Sequence, residues 1–432
     1  MKNSKIIIKK VKEIAVQIID GDRGKNYPKD SDFMDDGYCL FLNAGNVTNK
    51  GFSFNNCEFI SFDKDQVLRK GKLKKYDLVM TTRGTLGNIA YFNNRISFRN
   101  IRINSGMVIF RANSNKILPS YFYYNLNSPY FYKQVEMLKT GVAQPQLPIR
   151  DIKNIKIILH QLDEQKKIAS ILSTYDDLID INQKRIHLLE QAARLLYREW
   201  FVYFRFPGHE NVKIIDGIPE GWKKKSLSEI VTTQYGYTET ATQDKIGPKF
   251  LRGKDINKSS YIDWNSVPYC SDKKLDFNKY YLSPGDILII RMADPGKVGI
   301  VEKEIKAIFA SYLVRLKIID KNIPPYFLFY SLVSNRYQGY INGASTGSTR
   351  KSASAKLMVT YDLLIPKKEI INSFNEQMIQ LRRSINILLE QNQKLAQARD
   401  LLLPRLMSGK IDVFDFDKDN IPVESEVEKI VN

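Results

Sequence analysis

The 432-residue sequence is poor in the residues that build metal and redox sites: it has three Cys, three His and three Trp. Cys39, Cys57 and Cys270 are too few and too scattered for a disulfide framework or a metal site. His160, His187 and His209 lie apart, with no ligand spacing between them. No apolar run is long enough to span a bilayer. The first ten residues carry only a short Ile run, without a signal-peptide core or cleavage site. These absences predict a cytoplasmic, metal-free protein.

Catalytic signatures are also missing. The stretch 343–352 is rich in Gly, Ser and Thr but lacks the glycine–lysine placement of a phosphate loop. Asn322-Ile323-Pro324-Pro325-Tyr326 departs from the Asn-Pro-Pro-Tyr of amino-methyltransferases by an inserted Ile, and no glycine-rich cofactor loop precedes it. Asp294-Pro295-Gly296-Lys297 has an acid and a lysine but no paired Glu-x-Lys nearby, and reads as a turn. No Ser/His/Asp arrangement or carboxylate cluster stands out. Binding is favoured over catalysis.

What the chain does have is two long helical stretches. Neither Pro nor Gly interrupts 161–201, and Asp163 is placed to cap its start. Within it, Ile168, Leu172, Tyr175, Ile179, Asn182, Ile186, Leu189, Ala193, Leu196 and Trp200 alternate gaps of four and three. That is a heptad seam with one polar member, on a helix of about 50–60 Å. Such a narrow stripe wants a partner helix. Ile371, Phe374, Met378, Leu381, Ile385, Leu388, Asn392, Leu395, Arg399, Leu402 and Leu406 repeat the alternation, with Pro404 expected to end or bend that helix. Leu188-Leu189-Glu190-Gln191 and Leu388-Leu389-Glu390-Gln391 are the same tetrapeptide.

The regions before these helices are alike as well. Strand-type runs at 38–42, 78–82, 89–92, 107–110 and 155–159 alternate with Gly and Asn turns, and 120–138 reads as an aromatic-rich helix or helix pair. The stretch 250–256 then answers 41–47, and Leu282-Ser283-Pro284-Gly285-Asp286 answers Leu73-Lys74-Lys75-Tyr76-Asp77. Pro325-Tyr326-Phe327 answers Ser120-Tyr121-Phe122, Thr346-Gly347 answers Thr140-Gly141, and Leu363-Leu364-Ile365-Pro366 answers Ile157-Ile158-Leu159-His160. The chain therefore reads as a tandem duplication of domain and long helix. A repeated module on a stiff spacer suits two similar targets at a fixed separation.

The net charge is +19, and the last 22 residues hold seven acids against two bases, so the excess lies in the body of the chain. An excess of that size suggests a polyanion partner; lysine-rich usage or solubility alone is the plainer account. Arg and Gln can read base edges, and Lys and Ser/Thr can hold phosphates. The candidate DNA contacts are Arg83, Arg99, Arg102, Lys139, Gln144 and Gln146 in the first half, and Arg252, Lys254, Arg291, Lys297, Ser348, Thr349, Arg350 and Lys351 in the second. The Tyr and Phe residues at 121–132 and 326–337 read as core.

Several segments together resemble the specificity (S) subunit of type I restriction–modification enzymes. They are Gly141-Val142-Ala143-Gln144-Pro145-Gln146-Leu147, Glu164-Gln165-Lys166-Lys167-Ile168-Ala169, Ile218-Pro219-Glu220-Gly221-Trp222, and Leu402-Leu403-Pro404-Arg405-Leu406-Met407-Ser408-Gly409-Lys410-Ile411. The resemblance covers nearly the whole chain, and the order of the motifs is more specific than any one of them. Gly347-Ser348-Thr349-Arg350-Lys351 lacks the Gln-Pro of the first loop, and the first half lacks a Gly-Trp opening.

The resemblance implies an α+β fold: two pseudo-repeated α/β target-recognition domains joined by two long antiparallel helices forming a coiled coil. The expected divisions are recognition domains at 1–160 and 206–366, long helices at 161–205 and 367–410, and an acidic tail at 411–432. It further implies a non-catalytic subunit that reads a bipartite double-stranded DNA site with an unread gap. Its partners would be two modification (methyltransferase) and two restriction (motor and endonuclease) subunits. S-adenosylmethionine, ATP and Mg²⁺ would belong to those partners, leaving this chain without a cofactor. The alternative is a coiled-coil scaffold whose basic charge is incidental.

Overall fold

The computed structural model describes residues 6–141, 145–257, 259–272, 277–345 and 351–414. The chain divides into two compact units, Met1–Ile181 with Gln391–Asn432, and Asn182–Glu390.

Unit 1 is built on a four-stranded antiparallel sheet in the order Val16–Asp20, Met107–Ala112, Leu78–Thr81, Ile89–Tyr91. Leu78–Thr81 is buried at every position, as its uninterrupted apolar run requires. A smaller sheet sets Cys39–Leu42 between Phe59–Ile60 and a parallel partner, Ile101–Ile103. Helix α1 (Phe62–Val67) starts at Ser61, whose hydroxyl accepts from the Lys64 amide. The aromatic stretch is a helix pair, α2 (Pro119–Leu126) and α3 (Pro129–Leu138), each opened by a proline whose missing N–H costs nothing there. After α4 (Ile149–Ile152), strand Lys156–Leu159 pairs with Ile7–Lys10 and leads into α5 (Leu162–Phe201).

Unit 2 repeats this plan. Its four-stranded sheet runs Val231–Tyr235, Leu313–Ile318, Ile287–Ile290, Val298–Ile300, and Lys249–Leu251 pairs parallel with Ala307–Phe309. Helices α6 (Pro325–Val333), α7 (Asn335–Ala344) and α8 (Ala355–Val359) follow. Asp362–Ile365 pairs with Lys223–Ser226 ahead of α9 (Lys368–Met407). The duplication reaches single atoms. A Cβ on Gly21 would lie 2.2 Å from the Asn104 carbonyl oxygen, and one on Gly236 would lie 2.3 Å from that of Ala310, so only glycine fits at either place. Asp77 accepts from the guanidinium of Arg111 and the Lys74 amide; Asp286 accepts from Arg315 and the Ser283 amide.

The heptad seam is the buried face of both long helices. In unit 1, Ile168, Leu172 and Tyr175 at the start of α5 pack with Ala398, Leu402, Leu403 and Leu406 at the end of α9, with Leu395 partly buried beside them. In unit 2 the polarity is reversed. Ala193, Leu196 and Trp200 at the end of α5 meet Ile371, Phe374, Met378 and Leu381 at the start of α9, and Ile186 and Leu189 meet Ile385 and Leu388. The helices therefore run antiparallel. Asn182 is buried, and Ile179 and Asn392 are half-buried, while Leu178, Ile181, Leu188 and Leu195 between the seam positions are exposed. Each fully buried Leu or Ile contributes about 1.5–3 kcal/mol of apolar burial.

Two sequence expectations need correction. Pro404 does not end α9 at once: the helix gives up the one bond that the missing N–H would make to residue 400 and runs three residues further, to Met407. Asp163 does not cap α5. It sits in the first turn paired with Lys166, and the Gln161 amide donates instead to the Glu164 carboxylate, 3.1 Å away. Most of the aromatic residues at 121–132 and 326–337 are core, with Tyr121, Phe122, Phe131, Phe327, Phe329 and Tyr337 buried; Tyr123, Tyr132 and Tyr326 are half-buried and Tyr130 is exposed.

Candidate nucleic-acid interface

In unit 1 the chain leaves strand Leu78–Thr81 into a loop at 82–87. The Thr82 carbonyl accepts from the Leu147 amide at 3.0 Å, and Thr140 and Gln146 exchange backbone bonds of 3.0 and 2.8 Å. Arg83 forms an isolated bridge with Gln146. These bonds bring Arg83, Lys139 and Gln146 together on two adjoining loops, and all three are exposed. Gly84 and Gly87 take left-handed φ values of 72° and 77°, and a Cβ on Gly87 would meet Val135 of α3 at 3.1 Å. Lys139 is paired with Glu136 at 2.5 Å. The Arg83 guanidinium has no acidic partner among the described residues.

Unit 2 builds the same pair of loops. The Arg291 carbonyl accepts from the Ala353 amide at 2.9 Å, the Ala293 amide donates to the Lys351 carbonyl at 3.0 Å, and the Ile290 amide donates to the Lys297 carbonyl at 2.9 Å. Arg291, Lys297 and Lys351 are thereby gathered, and both lysines are exposed. The Arg291 guanidinium lies over the Tyr235 ring, 4.8 Å from its centroid, and no carboxylate among the described residues pairs with it. Such a stacked, unpaired guanidinium keeps donors for an incoming acceptor.

Two contributors escape a reading by residue type. One is Tyr235, which holds Arg291 and accepts from the Ala355 amide. The other is Ala293, whose φ of 70° matches that of Gly84. A non-glycine residue held there stores about 1–3 kcal/mol of strain. The offset of 209 that relates 250–256 to 41–47 and Leu282 to Leu73 also aligns Ala293 with Gly84, and was the available signal.

The remaining candidates divide. Arg99 is exposed in the loop before Ile101–Ile103 and makes none of these contacts. Lys254 is exposed; Arg252 is held by the carboxylate of Asp255 at 2.9 and 3.0 Å. Their turn lies beside Ile290, 3.5 Å from a Cβ placed on Gly253. Gln144, Ser348, Thr349 and Arg350 lie outside the described residues.

Arg102 is a correction. It is buried, with Nε 2.6 Å from Asp65 and its other nitrogens on the carbonyls of Asp65, Leu68 and Lys70. Strand Ile101–Ile103 is covered at all three positions, so the charge turns inward to Asp65 and is not available to DNA. Burial opposes ionisation of Asp65, but hydrogen bonds from Lys72 and Arg102 outweigh it and hold its pKa below the usual carboxylate value.

Two like units that each present cations on paired loops make a duplicated binding protein. Among the described residues no group of His, Cys, Asp or Glu could hold a metal ion, and no helix is long and apolar enough to cross a membrane. Residues 4–191 and 219–396 each match the family described as type I restriction modification DNA specificity domain. The chain is 28% identical over 311 residues to the type I restriction enzyme MjaVIII specificity subunit of Methanocaldococcus jannaschii, covering 69% of this chain and 72% of that protein. It is 22% identical over 459 residues to the HindI specificity subunit of Haemophilus influenzae, covering 90% and 98%. The crystal structure of a type I restriction–modification S subunit from M. genitalium shares the fold, with a TM-score of 0.53 at 13% identity over 94% of this chain and 97% of that one. The chain belongs to the type I restriction–modification DNA specificity family.

Proposed function

We propose that this chain is the non-catalytic DNA-specificity subunit of a type I restriction–modification complex in the cytoplasm. Each unit reads one half of a bipartite double-stranded site, and the antiparallel helices set the unread gap. Two modification subunits carry out methyl transfer, and two restriction subunits carry out translocation and cleavage. S-adenosylmethionine, ATP and Mg²⁺ serve those subunits. The observation that carries the reading is the repeated loop pair: the Arg83–Gln146 bridge of unit 1 has its counterpart in the Met292–Ser352 bridge of unit 2, with Arg291 and Lys351 each one residue before it. Unpaired cations on exposed loops suit phosphate and base-edge acceptors.

The test is affinity of the assembled modification complex for random duplexes and for the site found by mapping methylated positions in the host genome. The expected preference is about 10³-fold or more for the two-part site, with affinity falling steeply as salt rises. Equal affinity for both duplexes at moderate salt rejects the proposal.

A further inference from the structure

Arg382 of α9 is the largest fully buried side chain among the described residues. It lies next to the heptad seam, not in it. Its Nε donates to Glu302 Oε1 at 2.8 Å and its Nη2 to Glu302 Oε2 at 2.5 Å. Nη1 donates to the Ser260 hydroxyl at 2.9 Å and Nη2 to the Ser260 carbonyl at 3.1 Å. Glu302 also accepts from the Tyr326 hydroxyl at 3.0 Å, and Ser260 donates to Glu190 of α5. The guanidinium sits 5.7 Å from the Phe329 ring centroid. One side chain thus ties α9 to α6, to the loop after strand Val298–Ile300 and, through Ser260, to α5.

We propose that Arg382 is a positioning residue: it fixes the orientation of the second recognition domain on the helix pair, and so determines how strictly the protein discriminates the gap between half-sites. The inference rests on the two-part reading above. A buried ion pair is a poor source of stability compared with apolar side chains of the same volume. What it supplies is direction. The neighbouring apolar cluster of Ile186, Ile385 and Leu388 holds the helices together by burial that has no preferred direction, whereas a bidentate arginine–carboxylate pair has one geometry. The demand on angle is severe. Across a domain about 30 Å wide, a tilt of about 10° moves the far loops by about 5 Å, more than the ~3.4 Å between base pairs. Unit 1 has a looser counterpart. Arg399 of α9 pairs with Asp176 of α5 at 2.5 Å, and the Tyr124 hydroxyl of α2 donates to the same carboxylate, but the Arg399 side chain is 29% exposed.

The test uses the full chain assembled with its modification subunits. The double variant Arg382→Met/Glu302→Gln removes both charges without leaving either one unpaired. Methylation is measured on duplexes with the native gap and with one base pair added or removed, alongside thermal unfolding and affinity for a duplex carrying only the second half-site. The expected result is a native-to-shifted gap ratio reduced about tenfold, with half-site affinity within about twofold of wild type. A folded double variant that discriminates as wild type does overturns the inference. Should the double variant fail to fold, Ser260→Ala decides: about a threefold loss of gap discrimination is expected, and no change overturns it. A wild-type complex indifferent to gap length overturns the two-part reading itself and takes this inference with it.

Discussion

One position shows how the two units solve the same problem differently. In unit 1 the parallel strand pair sets Phe41 opposite Arg102; in unit 2 the equivalent pair sets Phe250 opposite Ile308. Both second members are buried. Arg102 brings a charge inside and needs Asp65 and three carbonyls to satisfy it, while Lys72 donates to the second carboxylate oxygen of Asp65. Ile308 fills the site with hydrocarbon among Phe250, Cys270, Phe277 and Ala310. The fold tolerates either, because what it requires there is a covered strand, and the chemistry of the cover is free. At the helices the allocation reverses: unit 2 buries an arginine fully, and unit 1 leaves its own partly open.

The comparison can be broken by exchanging the costs. Arg102→Met takes the guanidinium from buried Asp65 and leaves it with Lys72 and the Gln66 side-chain amide, and unit 1 is expected to lose about 3–5 kcal/mol. Ile308→Ala removes apolar volume and is expected to cost unit 2 about 2–5 kcal/mol, towards the lower end where the site collapses. Urea unfolding followed by hydrogen exchange in Ile101–Ile103 and Ala307–Phe309 separates the two; a mild Arg102→Met would mean that Asp65 finds water. Acid sharpens the contrast. Because the pKa of Asp65 is lowered in the folded state, its stabilising contribution is complete above its unfolded value and is lost as the pH falls through the folded one. Exchange protection around Ile101–Ile103 is therefore expected to fall as the pH drops below about 4, before that around Ala307–Phe309, where Ile308 lies in an apolar cluster of described residues. Simultaneous loss in both strands would contradict this.

The helices, the duplication and the helix pair α2–α3 were legible because each rests on a period or an ordered set of signposts. Ile168, Leu172 and Tyr175 declare their face by spacing alone. Arg102 was not legible, since a lone arginine in a short strand looks like surface charge until its parallel neighbour is known. Arg382 stood beside seam residue Leu381 and gave no periodic signal; burial of that side chain depends on Glu302 and Ser260, 80 and 122 residues away. The loop pair was half legible. Arg83 and Gln146 could be named by type, but their adjacency comes from the bridge between two loops.

The smallest expected effects separate reading from holding. Arg83 sits at the start of a loop ordered by two left-handed glycines, where a planar guanidinium can address a base edge. Lys297 is an exposed point charge at the far side of the equivalent loop in unit 2, suited to a phosphate. Arg83→Ala is expected to cost about 1–3 kcal/mol at one base position of the first half-site and to relax selectivity there alone. Lys297→Ala is expected to weaken all sequences alike and to lower the slope of log affinity against log salt by about 0.9. Binding titrations at several salt concentrations on a panel of single-base variants distinguish the two. A uniform loss for Arg83→Ala would move it from base reading to phosphate holding, and the first unit would then read its half-site through Gln146 and its neighbours in the adjoining loop.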